Sequence, residues 1–279
     1  MKITVRHETL YTYSRPVRLG PHLLRLQPRL DGALKLLEHR LDLEPEPVGR
    51  APCLDAEGNV VVHAWFDALT ERLRVVSGFE VDTQRQNPFD YLLEPRAERL
   101  PVRYDDGLEA VLAGYRTRQY ADGAVAELAR GLAAECGSRT LEFLAALNGR
   151  LQQSCPGVIR EEGWAHPPEQ TLRLRTGSCR DLAVVFMEAC RAVGLAARFV
   201  SGYQRGALDP GTQRYLHAWA EVFLPGGGWR GYDPTQGIAT ADQHVAVAAS
   251  RESRHATPIA GAFQGGGATS SMEAHIELQ

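Results

Sequence analysis

Polar and apolar residues alternate through "KITVRHETLYTY" (2–13), "LLEHRLDLEP" (36–45), "NVVVHAWF" (59–66) and "ERLRVVSGFEVDT" (71–83). Successive side chains of a strand point to opposite faces, so a two-residue period marks strands with one buried face. Gly, Pro and Asp turn residues separate the runs, and residues 1 to about 100 read as an antiparallel sandwich or barrel. The stretch 87–106, "NPFDYLLEPRAERLPVRYDD", carries three prolines and no sustained period, which reads as a linker.

From about residue 121 the period changes. "DGAVAELARGLAAE" (122–135) and "RTLEFLAALNGRLQQ" (139–153) carry apolar residues at helical spacing, and "SCRDLAVVFMEACRAVG" (178–194) does so with Leu182, Val185, Phe186, Ala189 and Val193. Strands follow in "AARFVSGY", "LHAWAEVFL" and "WRGYDPT", bounded by Gly or Pro. Helices first and an antiparallel sheet afterwards make the second domain α+β. The tail, "FQGGGATSSMEAHIELQ", starts as a flexible Gly-rich loop and then alternates again, as a final strand returning to the sheet of the first domain would. The expected division is a β-rich domain over 1–105, an α+β core over 106–256 and a Gly-rich C-terminal segment over 257–279.

At 279 residues the chain has length for two cores. A formal net charge of −3 gives no basic surplus for nucleic acid or an anionic membrane surface, so neither is an expected partner. The most apolar window, 182–200, is broken by Glu188, Arg191 and Arg198, which a membrane span tolerates poorly. The N-terminus has no continuous apolar stretch of the signal-peptide kind, and a cytoplasmic location is expected. Five cysteines include no C-x-x-C pair, which fits reduced thiols. The nine histidines show no zinc-site spacing, and no metal or organic cofactor is expected.

One cysteine stands at the beginning of a helix. With Ser178 as the cap, Asp181 falls at the third helical position, the Ser-x-x-Asp form of a capping box, and Cys179 occupies the first. There its sulfur meets unpaired N–H groups and the positive end of the helix dipole, which favour a thiolate. The plain alternative is a small core residue. Further on, alternation in "LHAWAEVFLPGGGWRGYDPTQG" puts His217, Trp219, Glu221 and Phe223 on one strand face. The Gly-rich turn at 226–228 reverses the chain and brings Asp233 toward His217. Each taken alone reads equally well as structural, His217 as a satisfied, partly buried histidine and Asp233 as a turn residue before Pro234. Together, a helix-start cysteine, a strand histidine and a strand-end aspartate are the arrangement for nucleophilic acyl transfer.

These residues carry a resemblance. "TGSCRDLAVVFMEACRAVGLAARFVSGY" followed by "HAWAEVFLPGGGWRGYDPTQG" resembles the transglutaminase-like core shared by transglutaminases and bacterial cysteine hydrolases, over about residues 120–250. "YTYSRPVRLGPHLLRLQPR" is similar to the β-rich domain that precedes this core in one bacterial branch. The resemblance implies an α+β, papain/transglutaminase-like core, with helices packed on an antiparallel sheet, preceded by an all-β sandwich. It implies Cys179 as nucleophile, His217 as general base and Asp233 as the acid that orients it. Two places depart from the branch. Gly157 in "GVIREEGWAHPPEQTL" stands where relatives often place an aromatic oxyanion donor, with Trp164 the nearest substitute, and "VAVAASRESRHATPIAGAF" lacks a Gly-Arg-Asp-Tyr run.

The expected activity is hydrolysis of a protein or peptide amide through a Cys179 thioester. The alternatives are transglutaminase-type transfer of the acyl group to an amine and a non-catalytic interaction module. Calcium activation is not expected, since no EF-hand-like acidic loop is present. Trp164, Arg180, Tyr203 and Trp219 are the candidate substrate-binding residues, with His244 and Arg251 as further candidates for contact. Arg180 reads equally as a solvated partner of Asp181, Cys190 as core packing, and Gly202 as a strand bulge. The oligomeric state is left open.

Overall fold

The computed structural model describes every residue except 121–122 and 207–212. The β-rich part begins with β1 (Lys2–Leu19), β2 (His22–Leu24), β3 (Leu34–Glu44), β4 (Gly49–Leu54), β5 (Val60–Trp65) and β6 (Leu69–Thr83). Helices α1 (Asp106–Arg116), α2 (Ala124–Glu135), α3 (Thr140–Ser154), α4 (Pro168–Leu174) and α5 (Cys179–Ala192) follow. Strands β7 (Ala197–Gln204), β8 (His217–Leu224), β9 (Gly228–Asp233), β10 (Ile238–Ala239) and β11 (His244–Ser250) complete the core. The chain ends with β12 (Ile259–Ala260), β13 (Phe263–Gln264) and β14 (Ser270–Leu278).

The fold is α+β, an all-β sandwich and a core of helices packed on an antiparallel sheet. One sandwich sheet has the order β13-β1-β6-β3 with β14 also on β1, and the other has β12-β2-β5-β4. Tyr13, Val17, Leu19, Leu43, Leu73 and Val75 of the first face Leu24 and Ala64 of the second across a buried apolar layer. The last strands pair with the first: β13 and β14 lie along the edge of β1 that β6 leaves open. The sandwich is therefore closed by residues from both ends of the chain.

In the core, the antiparallel sheet β10-β9-β8-β7-β11 carries the helices on one face. Helix α5 is buried from Asp181 to Arg191 on every side, as expected of the central helix of a domain. The two charges that interrupt its apolar run neutralise each other: Arg191 donates to Glu188 at 2.7 Å and to the carbonyls of Ala197 and Arg251. Among the described residues no helix is long and apolar enough to cross a membrane. All five cysteines are free.

Two helices go beyond the three that periodicity predicts. Helix α1 is capped by Asp105, whose carboxylate accepts from Leu108 N–H, and buries only Leu112; α4 has seven residues and starts on a proline. Helix α4 is too short to show a sustained period, and α1 starts on Asp106, where the proline-rich stretch read as a linker ends. The helix expected over 122–135 begins at Ala124 after an extended Gly123; Asp122 lies outside the described residues.

The reversal after β8 depends on glycine. Gly226 has φ +86°, and a Cβ there would stand 2.2 Å from the Leu92 carbonyl oxygen, so no side chain fits. β9 then runs back along β8, with Ala220 opposite Tyr232.

Sandwich and core are locked together. The core sheet packs Tyr203, Val245 and Val247 against Ile3, Val5, Phe79 and Val81 of the sandwich. The Asn59 amide donates to the Ala249 carbonyl at 2.9 Å and accepts from Ala249 N–H at 2.7 Å, pairing with edge strand β11 as a strand would.

Candidate active site

The start of α5 is built by a buried carboxylate. Asp181, fully buried, accepts from Ser178 N–H at 2.7 Å and from the Ser178 hydroxyl at 2.9 Å. It also accepts from His166 N–H at 2.7 Å and pairs with Arg160 at 2.5 Å. Burial opposes its ionisation, but these donors outweigh it and hold the carboxyl below its usual range. The capping box expected at Ser178 is thus present. The same carboxylate also clamps the 157–167 loop to the helix. Val158 N–H donates to the Gly177 carbonyl at 2.9 Å, and a Cβ on Gly157 would lie 3.2 Å from Thr235 Cγ2. Arg180 is not the partner of Asp181. Its guanidinium donates to the carbonyls of Arg160, Glu161 and Glu162 and ties down the same loop.

This network sets a stability prediction. Asp181→Ala leaves two N–H groups without an acceptor and Arg160 without its anion. It is expected to cost about 3 kcal/mol, read as a melting point lower by several degrees and faster proteolysis within 157–167. A loss under about 1 kcal/mol would show that the loop is held by other contacts.

At the first helical position Cys179 is half-buried, and its own N–H and that of Arg180 precede the first helical hydrogen bond, from Asp181 N–H to the Ser178 carbonyl. His217 begins β8, and its Nε2 lies 2.7 Å from Asp233 Oδ2. Because Nε2 is engaged there, Nδ1 is the nitrogen left for the thiol. Burial works against a charged ring, but the hydrogen bonds with Asp233 and Cys179 outweigh it and push the His217 pKa up to about 10. Fully buried Asp233 also accepts from Thr235 N–H at 3.0 Å and Gln236 N–H at 3.3 Å, both on Oδ1. Burial resists its charge too, yet the two imidazoles facing it hold the carboxyl far below its usual range.

The second imidazole belongs to His244, whose Nε2 stands 3.2 Å from the same Oδ2. Sequence placed His244 as a candidate substrate contact; its side chain is only 3% exposed and does not line the cleft. The one signal for this was a lone polar residue opening the apolar run "HVAVAA", the pattern of a satisfied core histidine. Arg251 also lies away from the cleft, its guanidinium beside Gly114. His217, Asp233 and His244 present ligand atoms within 4.8 Å of one another. The 2.7 Å between His217 and Asp233 is a hydrogen-bond separation, shorter than the roughly 3.3 Å between ligands of a tetrahedral zinc.

Cys179 and His217 open into a cleft of about 700 Å³ between core and sandwich. The 157–167 loop contributes Ile159 and Trp164, which are 70% and 67% exposed. The sandwich contributes a wall that sequence did not indicate, Thr9 and Tyr11 of β1 with Ala274 and Met272 of β14, paired in register across the two strands. Arg180 also lines the cleft. Tyr203 and Trp219, read from the sequence as substrate-binding, do not. Tyr203 is 1% exposed, and its hydroxyl bonds His7 Nδ1 of the sandwich at 2.8 Å. Trp219 is 2% exposed and lies over Gly202, where a Cβ would come 2.6 Å from its ring. Alternation put Trp219 on the His217 strand face, but there it packs with Val200, Ala246 and Ala249, while Tyr203 packs against the sandwich. Cys190 is fully buried, and burial pushes its thiol well above the usual range.

A helix that starts on a cysteine, packed on an antiparallel sheet bearing a paired histidine and aspartate, is the arrangement expected of a transglutaminase-like core. The chain belongs to the transglutaminase-like superfamily: residues 126–234 match that family, and residues 3–82 match the bacterial transglutaminase-like N-terminal region. An uncharacterized protein of Mycobacterium tuberculosis is 26% identical over 286 residues, covering 98% of this chain and 91% of its own. The protein-glutamine gamma-glutamyltransferase of Pseudomonas aeruginosa is 39% identical over 71 residues, which is 23% of this chain and 11% of that protein. A solved protein of Cytophaga hutchinsonii, described as a candidate cysteine protease, superposes with a TM-score of 0.73 at 20% identity, covering 100% of this chain and 90% of the other. At that identity the likeness is one of fold.

Proposed function

We propose that the protein is a cysteine hydrolase of protein or peptide amides, acting through Cys179, His217 and Asp233. The observation that carries this reading is the 2.7 Å bond from Asp233 to His217 Nε2, which leaves Nδ1 for the Cys179 thiol at the mouth of a large cleft. In this mechanism the Cys179 thiolate attacks the amide carbonyl, and the carbon–sulfur bond forms as the oxygen takes the negative charge. The Cys179 backbone N–H, free at the helix start, is one donor to that oxygen. His217 then passes its Nδ1 proton to the leaving amine, and the thioester forms as the C–N bond breaks. Water next gives a proton to His217 and its oxygen to the thioester, and the carboxylic acid leaves as the thiolate returns.

A cleft walled by two domains and open to solvent suits an extended chain and admits water to the thioester. The 71-residue match to a gamma-glutamyltransferase favours a second reading, in which an amine takes the place of water. Incubation with dimethylated casein and a fluorescent primary amine separates the two. Hydrolysis is expected to release new α-amino groups or ammonia with no fluorescence joined to casein. Incorporation of the amine as the main product would overturn hydrolysis in favour of transfer.

A further inference from the structure

We infer that His244 is a positioning residue for this site, holding the Asp233 carboxylate in line with His217. The inference rests on the proposed Cys179–His217–Asp233 arrangement and adds a fourth residue to it.

The argument begins with the donors around Asp233. Oδ1 is held by two backbone N–H groups of the turn that follows, Thr235 and Gln236. Oδ2 is held by side chains alone, His217 Nε2 at 2.7 Å and His244 Nε2 at 3.2 Å. A carboxylate oxygen has two lone-pair directions, and here one ring takes each. Without His244, Oδ2 would have only His217 as a direct partner, the ring that needs steering, and the two N–H groups on Oδ1 would restrain it only through the far side of the carboxylate. A group that must orient another cannot take its own orientation from it.

His244 is suited to that task by its own restraint. It opens β11 opposite Gln204 of β7, its side chain is buried, and Trp219 meets its ring edge-to-face at 5.3 Å. Trp219 can lie there because Gly202 presents no side chain. Of titratable groups, Asp233 from β9 touches the His244 ring by hydrogen bond, and His217 from β8 lies 6.4 Å away between ring centres. Its paired neighbour on β7, Gln204, is uncharged. Nδ1 of His244 is buried and has no hydrogen-bond partner among the described residues. The ring therefore makes one polar contact, through Nε2, and that contact is Asp233. A histidine kept for packing would be replaceable by an apolar side chain; one kept for its Nε2–H would be replaceable only by a donor placed at the same reach.

Glutamine supplies such a donor, since its amide nitrogen extends about as far as histidine Nε2. Asparagine is too short to reach Oδ2, and leucine has no donor. The test uses the full chain with His244→Gln, His244→Asn and His244→Leu, and His217→Ala as reference. Two quantities are read: the rate at which iodoacetamide labels Cys179 at pH 7, by peptide mass spectrometry, and the NMR titration of the His217 ring. In His244→Leu and His244→Asn the carboxylate loses its second anchor. Labelling is expected to slow by about tenfold or more, and the His217 titration to move down from about 10. His244→Gln is expected to restore both to near the wild-type values.

Unchanged labelling and an unmoved or raised His217 titration in the leucine and asparagine variants would overturn the inference, as would failure of glutamine to rescue a folded protein. Circular dichroism checks the fold, and if leucine does not fold, the asparagine and glutamine pair decides alone. The reference variant separates the two levels. If His217→Ala leaves the labelling of Cys179 unchanged, the three-residue arrangement itself falls; if it slows labelling while the His244 variants do not, only the role of His244 falls.

Discussion

Cys179→Ala is expected to lower turnover by about 10⁴-fold or more while leaving the melting temperature close to that of the wild type. Both halves of this expectation come from one local arrangement. The helix start is stabilised by Ser178, Asp181 and Arg160, none of which uses the Cys179 side chain. Removing one half-buried sulfur therefore deletes the nucleophile and spares the cap. His217 keeps its bond to Asp233 at the other nitrogen. Alanine in place of Cys190 is the control in the opposite sense. That thiol is fully buried and pushed well above its usual pKa, so the change is expected to lower stability and leave turnover per folded molecule unchanged. Substantial turnover by folded Cys179→Ala would exclude the thioester route altogether.

The second large effect is expected at Asp233. Asp233→Asn keeps size and shape, yet the backbone N–H groups of Thr235 and Gln236 require an acceptor at the Oδ1 position. The amide oxygen must sit there, which turns the NH₂ toward both imidazoles. To receive that donor, His217 has to leave Nε2 unprotonated and carry its proton on Nδ1, the nitrogen meant for the thiol. A ring in this tautomer cannot accept the Cys179 proton, and a loss of kcat of about 10⁴-fold follows from a wrongly held histidine.

The same substitution has a pH signature. The folded-state pKa of His217 is raised from 6.5 to about 10, so its contribution to stability is full below pH 6.5 and is lost as pH rises through about 10. Asp233 is depressed from 3.8, so its contribution is present above pH 3.8 and is lost as pH falls below that value. The gap in melting temperature between wild type and Asp233→Asn should thus be widest between about pH 4 and 6.5 and should close toward both extremes. A gap independent of pH would mean that the two side chains are not paired as ions.

How far the sequence speaks for this site differs from residue to residue. Cys179 was legible because a capping box is a matter of four consecutive residues: Ser178 and Asp181 settle where the helix begins, and the cysteine between them has no choice of position. The approach of Asp233 to His217 was nearly as local, since a glycine turn between two strands brings one end back to the other. Trp219 and Tyr203 show the limit of this reasoning. Alternation placed Trp219 on the strand face of His217, but a period of two says which residues share a face and nothing about what covers it, and Trp219 is buried among Val200, Ala246 and Ala249. Tyr203 is buried by the sandwich, through contacts nearly two hundred residues apart such as that with His7.

The chain's own order of residues thus determined the strands of the first third, the long helices, the helix-start cysteine and the hairpin that carries histidine and aspartate. All of these follow from hydrogen bonds and side-chain periods within a few residues of one another. Only the tertiary structure decided that β13 and β14 close the sandwich on β1, that Thr9, Tyr11, Ala274 and Met272 wall the cleft, and that His244 shares Asp233 with His217. Those arrangements join segments that have no local preference for each other, and they arise because burying two apolar sheet faces against each other brings together polar groups that pair across distant segments: Asp233 with four donors, Asp181 with four, and Asn59 with the free edge of β11.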